Sequence, residues 1–140
     1  RKILDLSREE QNLNFKSFEK PLTQLELDKA RKSVRAVHMS EQVEEYLVQI
    51  VLATRNSDKY GGDLNNWLEY GASPRATIAL DVCSKALAWL NNKDFVSPDD
   101  IRSVAHDILR HRIILSFEAE ANGVSSDQVI DELLRVVPSA

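Results

Sequence analysis

Helix-start signals recur along this chain, and they constrain its fold more than any other feature. A serine or threonine is favoured directly before a helix, where its oxygen accepts a hydrogen bond from a free backbone N–H, and proline is favoured at the first helical position. Such residues stand at five places, namely Thr23, Ser40, Ser73, Ser97 and the pair Ser125-Ser126. Apolar residues at helical spacing follow each of them, which predicts five helices.

The first two predicted helices have recognisable ends. Thr23 and Glu26 fit a capping box, and the first helix is expected to run over residues 23–36. The second helix follows Ser40 and ends near Arg55. A cation there suits the negative end of the helix dipole, so dipole compensation or helix packing is the expected role of Arg55.

The remaining three helices begin at serines. Ser73-Pro74 opens the third, with Ser73 as the cap and Pro74 as the first helical residue. Ser97-Pro98 opens the fourth in the same way, and Asp99 and Asp100 place negative charge in its first turn, where the helix dipole favours it. The last helix follows the pair Ser125-Ser126 and is expected to stop before the next proline.

The segments between the helices complete the expected architecture. Residues 1–21 are polar, and they are predicted to be a linker or entry segment that leads into a helical domain at 22–140. Residues 56–72 are predicted to be a loop, and short extended pieces are expected near 94–96 and 112–116. The chain is therefore predicted to be all-α, a compact bundle of about five helices.

The bulk composition limits the partners and the compartment. The chain has 140 residues, of which 43% are hydrophobic, so one domain with an apolar core is expected. A net charge of −4 argues against nucleic acid as the main partner, and no run approaches the roughly 20 apolar residues of a membrane span. The single cysteine, Cys83, favours a reducing compartment, hence the cytoplasm. Because the chain begins with Arg1 rather than methionine, it is expected to be a piece of a longer protein.

The sequence lacks catalytic and metal-binding patterns. A phosphate-binding loop needs G-x-x-x-x-G-K-[ST], and no glycine of this chain precedes a lysine. His106 and His111 would lie about 140° apart around a helix, so no shared metal site is expected. Cys83 falls on the predicted apolar face of the third helix and is expected to be a buried structural thiol. The chain by itself is therefore not expected to be an enzyme.

Arg75 stands where an isolated helix disfavours it. With Ser73 as the cap and Pro74 at the first position, Arg75 falls at the second, inside the positive end of the helix dipole, which costs about 0.3–1 kcal/mol. The position makes sense if an anion approaches, because free N–H groups, the dipole and the guanidinium would all point at it. A surface arginine paired with a nearby Asp or Glu is the simpler alternative, and the residues alone leave both open.

Four motifs occur in a fixed order and together resemble one family. They are "ATRN" at 53–56, "YGASPRA" at 70–76, "FVSPDDI" at 95–101 and "VAHDILRHRI" at 104–113. In combination, over roughly residues 22–138, they look like the C-terminal helical lid of MoxR-type AAA+ ATPases. The resemblance implies that a nucleotide-binding core with the Walker motifs precedes the lid and that ATP sits between them. It also implies a parent protein that hydrolyses ATP and remodels another protein.

The resemblance assigns roles to residues and partners. Arg75 is similar to the sensor 2 arginine, which reaches the nucleotide phosphates from the lid, and Ser73, Pro74 and Ala76 accompany it in the motif. Magnesium would come from the core, and tight binding of ATP to the chain alone is not expected. The implied partners are the AAA+ core, the neighbouring subunits of a ring, commonly a hexamer, and a client that contains a von Willebrand factor A domain.

Two questions stay open at this level. Arg110 and Arg112 also lie in the matched motifs, but they are not assigned to ATP, and an intersubunit or interdomain salt bridge is one role open to Arg112. The alternative function is a stand-alone helical module that binds a protein partner, with Arg75 facing an acidic surface. A Walker A motif upstream in the parent gene would separate the two functions.

Overall fold

The computed structural model describes residues 21–61 and 63–139. The helices in this part of the chain are α1 Gln24–Ala36, α2 Glu41–Arg55, α3 Leu64–Trp67, α4 Arg75–Leu90, α5 Pro98–Leu109, α6 Phe117–Ala121 and α7 Ser126–Val136, with a 3₁₀ turn at Ser57–Lys59. Two short strands, β1 Leu68–Tyr70 and β2 Ile114–Leu115, pair antiparallel. The predicted entry segment lies outside the described residues except for Pro21, so its predicted boundary stays a prediction.

The predicted fold class is confirmed, because the described residues are mainly helical. Helices α1, α2, α4, α5 and α7 are the five that the start signals predict. The extended piece expected near 112–116 contains β2, and the one near 94–96 contains Phe95, which makes a single parallel bridge to His38.

The prediction of a simple loop at residues 56–72 is wrong. This stretch contains the 3₁₀ turn, α3 and β1. Helix α3 has four residues and is held by Leu64, whose side chain is fully buried. Helix α6, which the sequence also did not predict, has five residues and begins after Ser116, whose side chain accepts a hydrogen bond from the N–H of Ala119. Helices this short give too few residues for the 3.6-residue period to show.

The chain divides into two units, residues 1–30 and 31–140, and the packing described below lies within the second. Its core forms where α2, α4, α5 and α7 meet. Ile50, Leu80, Ile101 and Leu133, one from each helix, are 0% exposed. Burial of a side chain of this size stabilises a fold by about 1.5–3 kcal/mol. The four helices therefore form one apolar centre, against which the shorter elements pack.

The start of α5 is a polar cluster built around a buried carboxylate. Asp100 is 4% exposed and accepts hydrogen bonds from the backbone N–H of Ser97 at 2.9 Å, the Ser97 hydroxyl at 2.7 Å and Nζ of Lys93 at 2.9 Å. Burial by itself raises the pKa of Asp100, but the hydrogen bonds from Lys93 and Ser97 outweigh it, and the pKa lies below its ordinary value of 3.8. The folded state therefore favours the ionised form.

We expect Asp100→Ala to destabilise the domain by about 2 kcal/mol at pH 7, because it removes the capping carboxylate and leaves the Lys93 and Ser97 donors without it. The pKa of Asp100 is lowered on folding, so its contribution is present above the ordinary value of 3.8 and is lost as the pH falls through the lower folded-state pKa. Urea unfolding followed by circular dichroism at pH 7 and pH 3 measures both effects.

Asp99→Ala is the matched control, because Asp99 is the adjacent residue but is exposed. This variant should change the free energy of unfolding by no more than about 0.5 kcal/mol. The difference in free energy of unfolding between wild type and Asp100→Ala should become smaller at pH 3. Equal stability of the two variants at pH 7 would contradict the role given to Asp100.

Candidate functional site

The segment 70–76, which carries "YGASPRA", lies directly against the C-terminal end of α2. A Cβ atom added at Gly71 would lie 2.2 Å from the carbonyl oxygen of Thr54 and 2.8 Å from the backbone nitrogen of Arg55. No side chain fits at such distances, so glycine is required here by the close approach of two backbones. Ala72, the next residue, is fully buried. The segment is therefore fixed on α2 before it reaches α4.

Two polar contacts hold the segment in place. The hydroxyl of Thr54 donates to the carbonyl of Val51 at 2.7 Å and accepts from the N–H of Ala72 at 2.9 Å. Arg55 Nη1 donates to the carbonyl of Ala72 at 3.4 Å. Both backbone groups of a fully buried residue thus find partners in "ATRN", which is what a buried loop needs. Arg55 thus holds this segment by a hydrogen bond, and the choice between dipole compensation and helix packing stays a prediction.

Helix α4 begins one residue later than predicted. Arg75 is its first residue, Pro74 precedes it with φ −54° and ψ −19°, and no side-chain hydrogen bond caps the helix. The prediction of Ser73 as a side-chain cap is therefore wrong. Instead, the carbonyl of Ser73 accepts from the N–H of Ala76 at 2.8 Å, which makes a tight first turn. Arg75 still lies at the positive end of the helix dipole, so its unusual placement is real.

The four predicted site residues have different environments. Ser73, Pro74 and Arg75 are exposed, whereas Ala76 is fully buried. The side chain of Arg75 makes no hydrogen bond or ion pair with any residue in the described part of the chain. The N–H of Ala76 donates to the carbonyl of Ser73, so it is not free for a ligand. The buried side chain of Ala76 anchors the helix to the core. The alternative of a locally paired surface arginine therefore finds no partner within residues 21–61 and 63–139, and contact of these residues with a nucleotide stays a prediction.

An open groove of about 430 Å³ lies beside Arg75. It is lined by Arg75, Ile78, Ala79, Val82, Cys83 and Arg112. Ile78 and Val82 are more than half exposed, so the wall of the groove is apolar. Arg75 and Arg112 are the charged residues of this lining. The Nε atom of Arg112 is buried and has no hydrogen-bond partner in the described structure.

The prediction that Cys83 is buried is wrong, because its thiol is exposed. The inward face of α4 consists of residues four apart: Ala76, Leu80, Ser84 and Ala88. Ser84 is polar but lies in the core, where its hydroxyl donates to the carbonyl of Asp81 at 3.1 Å. The predicted apolar side begins correctly with Ala76 and Leu80, but the buried face continues through Ser84 and Ala88 rather than through Cys83.

The electrostatics of the groove suit an anion. Its lining contains two arginines, one of them in the first turn of α4, and no carboxylate. Arginine forks bind phosphate or carboxylate oxygens by paired hydrogen bonds. The charged residues of the lining therefore suit an anionic group such as a phosphate or a carboxylate. Among the described residues, no group of three His, Cys, Asp or Glu side chains is arranged to hold a metal ion.

The chain is similar to several known proteins. Residues 65–133 match the family described as the AAA lid domain. The chain is 37% identical over 94 residues to the chaperone MoxR1 of Mycobacterium tuberculosis, a match that covers 66% of this chain and 25% of MoxR1. It is 30% identical over 132 residues to the protein YeaC of Bacillus subtilis, a match that covers 94% of this chain and 39% of YeaC.

A solved structure supports the same relationship. A crystal structure of a proposed ATPase from Cytophaga hutchinsonii superposes with a TM-score of 0.86 and 41% sequence identity over 99% of this chain. The fold and the match to residues 65–133 define an AAA-type lid domain. The chain belongs to the MoxR family of AAA+ proteins and corresponds to their helical lid. It spans between 25% and 42% of the length of these three relatives.

Two features of the candidate site could not be predicted from the sequence. Arg112 was identified in its motif, but nothing in the spacing placed it beside Arg75. The contact between the segment 70–76 and Thr54 could not be predicted either, although both motifs that meet here can be recognised in the sequence.

No transmembrane helix is present among the described helices.

We expect Gly71→Ala to destabilise the domain by about 2–4 kcal/mol, because the new methyl group would overlap the Thr54 backbone and force the segment away from α2. Gly123→Ala is the control. Gly123 has a φ of +75° but no atom within 4 Å of an added Cβ, so its cost should be about 1 kcal/mol from backbone strain alone. Thermal unfolding measures both, and a smaller loss at Gly71 than at Gly123 would contradict the close-approach argument.

Proposed function

We propose that this lid contributes Arg75 as a sensor 2 arginine to the ATP site of its parent AAA+ protein. The observation that supports the proposal best is an exposed guanidinium without a partner among the described residues, in the first turn of α4, where the helix dipole favours an anion. Developing charge on transferred phosphate is stabilised by positioned cations of this kind. The ATPase core that would hold the remainder of the nucleotide is inferred from the relatives.

The way in which α4 is mounted gives Arg75 a mechanical role. Its segment is fixed to α2 through Gly71 and Ala72, and Ala76 anchors the helix in the core. The backbone at Arg75 can therefore not move far without the helices that carry it. A contact between Arg75 and phosphate would fix the angle of the whole lid, and loss of that contact would release it, as in hinge-type closure.

The proposal extends to the whole parent protein. ATP supplies the phosphoryl group, and magnesium would be held by the core rather than by the lid. The parent would hydrolyse ATP and use the lid movement for chaperone-like remodelling of a client. The name of MoxR1 as a chaperone and the description of the Cytophaga hutchinsonii protein as a proposed ATPase support this reading. A ring of subunits, commonly six, a client with a von Willebrand factor A domain and a cytoplasmic location complete the proposal.

In the full-length parent, Arg75→Ala should lower kcat for ATP hydrolysis by about tenfold or more, because a charged contact to the transition state is removed. The stability of the lid should change little, since the Arg75 side chain is exposed and makes no hydrogen bond or ion pair with the described residues. Steady-state phosphate release and thermal unfolding measure the two quantities.

Lys85→Ala is the matched control, because it removes a cation from the same helix outside the groove. Lys85 forms an ion pair with Asp81 at 2.7 Å. Its loss should leave turnover within about twofold of wild type, as expected for a surface pair. Unchanged turnover in Arg75→Ala would refute the sensor role.

The chain alone should bind ATP weakly or undetectably by titration calorimetry, because it lacks the glycine loop that cradles phosphates. Tight binding would mean that the site has been misread. The alternative of a stand-alone interaction module makes a different prediction about the gene. A Walker A motif encoded upstream of Arg1 supports the ATPase lid, whereas an initiator methionine just before Arg1 would contradict it.

A further inference from the structure

Arg110 and Arg112 lie two positions apart but have opposite environments. Arg110 donates from Nε to Oδ1 of Asp127 at 2.7 Å, and its Nη1 lies 3.5 Å from Oδ1 of Asp107. The hydrogen bond from Arg110 lowers the pKa of Asp127. Arg112 lines the groove beside Arg75, has a buried Nε without a partner and makes no ion pair within the described residues. One arginine is thus satisfied by its own domain, and the other is not.

An unpaired buried donor is costly for a folded domain. Leaving such a group without a hydrogen bond costs on the order of 1–3 kcal/mol, so a native example calls for an explanation. Water has access to the open groove, but the Nε atom itself is buried. A ligand in the groove cannot reach this buried Nε, but among the nitrogens of Arg112 it is the buried one without a partner, so the terminal Nη groups are the part of the guanidinium that a ligand in the groove would contact.

We propose that Arg112 is a second anion-binding residue of the Arg75 site, and that the groove lined by both arginines takes the terminal phosphates of a nucleoside triphosphate. This inference rests on the proposed function, which supplies the nucleotide. Two cations with no carboxylate in the lining match a multiply charged anion better than the single charge of one carboxylate. The apolar wall at Ile78 and Val82 strengthens the interaction once the core covers the groove, since it lowers the local dielectric.

The first test measures nucleotide affinity in the full-length parent. The variants are Arg112→Gln, Arg75→Gln and the control Arg110→Gln, and the probes are adenosine 5′-(β,γ-imido)triphosphate and ADP. Arg112→Gln should raise the dissociation constant for the triphosphate by about tenfold and that for ADP by less than about twofold, because only the triphosphate carries the terminal group. Arg110→Gln should leave both constants unchanged, since Arg110 lies outside the groove.

Cys83 provides a second readout that does not depend on hydrolysis. Its thiol is exposed and lines the same groove, so its rate of alkylation reports whether the groove is occupied. The triphosphate should slow alkylation of the Cys83 peptide in wild type and in Arg110→Gln, measured by mass spectrometry. At the same nucleotide concentration, Arg112→Gln should lose this protection. Arg112→Lys should recover part of it, because lysine restores the charge but not the paired hydrogen bonds of the guanidinium.

The outcomes separate this inference from the proposed function. If Arg75→Gln weakens triphosphate binding and Arg112→Gln behaves like Arg110→Gln, the second anion-binding role is wrong and the sensor role stands. If neither variant changes affinity, the second anion-binding role is wrong, and the turnover of Arg75→Ala decides the sensor role separately. If Arg112→Gln weakens ADP and triphosphate equally, Arg112 forms an interdomain salt bridge instead, and the phosphate proposal is overturned. Circular dichroism confirms folding, and the Arg112→Lys variant carries the test if Arg112→Gln unfolds.

Discussion

The close approach of two backbones at Gly71 and Thr54 is the constraint on which the rest of the site depends. Without a side chain at position 71, the segment lies near enough for the Thr54 hydroxyl to accept from the N–H of Ala72 and for Arg55 to donate to its carbonyl. These contacts satisfy a buried turn of backbone that would otherwise be costly. They also set where α4 begins, and therefore where Arg75 projects. A site residue on the surface is thus positioned by glycine and threonine beneath it.

Charge is distributed over this domain in two ways. Where a helix start serves stability, as in α5, an acidic residue caps it, and Lys93 pairs with that carboxylate. At the start of α4 the sign is reversed, and a second guanidinium lines the adjacent groove without a counterion among the described residues. A domain that stood alone would gain from a carboxylate there. Under the function we propose, this arrangement is one half of an anion site, and the parent protein supplies the other half.

Local signals predicted the long helices well because the hydrogen bonds that cap a helix start join residues within four positions of each other. Ser97 and Asp100 confirm the predicted start of α5, and Ser125 with Gln128 confirms that of α7. The start of α4 was misplaced by one residue because the Ser73 carbonyl, rather than its side chain, closes the first turn. The short helices α3 and α6 were missed, since tertiary contacts and not periodicity stabilise elements of four and five residues.

The sequence by itself determined the helical class, five of the helices and the identity of Arg75 as the unusual cation, because caps, periodicity and the helix dipole act over short distances along the chain. Only the tertiary structure decided which face of α4 is buried, and it moved Cys83 from the expected core to the groove. It also brought Arg112 beside Arg75. These facts depend on how helices pack against one another, and packing joins residues that are far apart in the sequence.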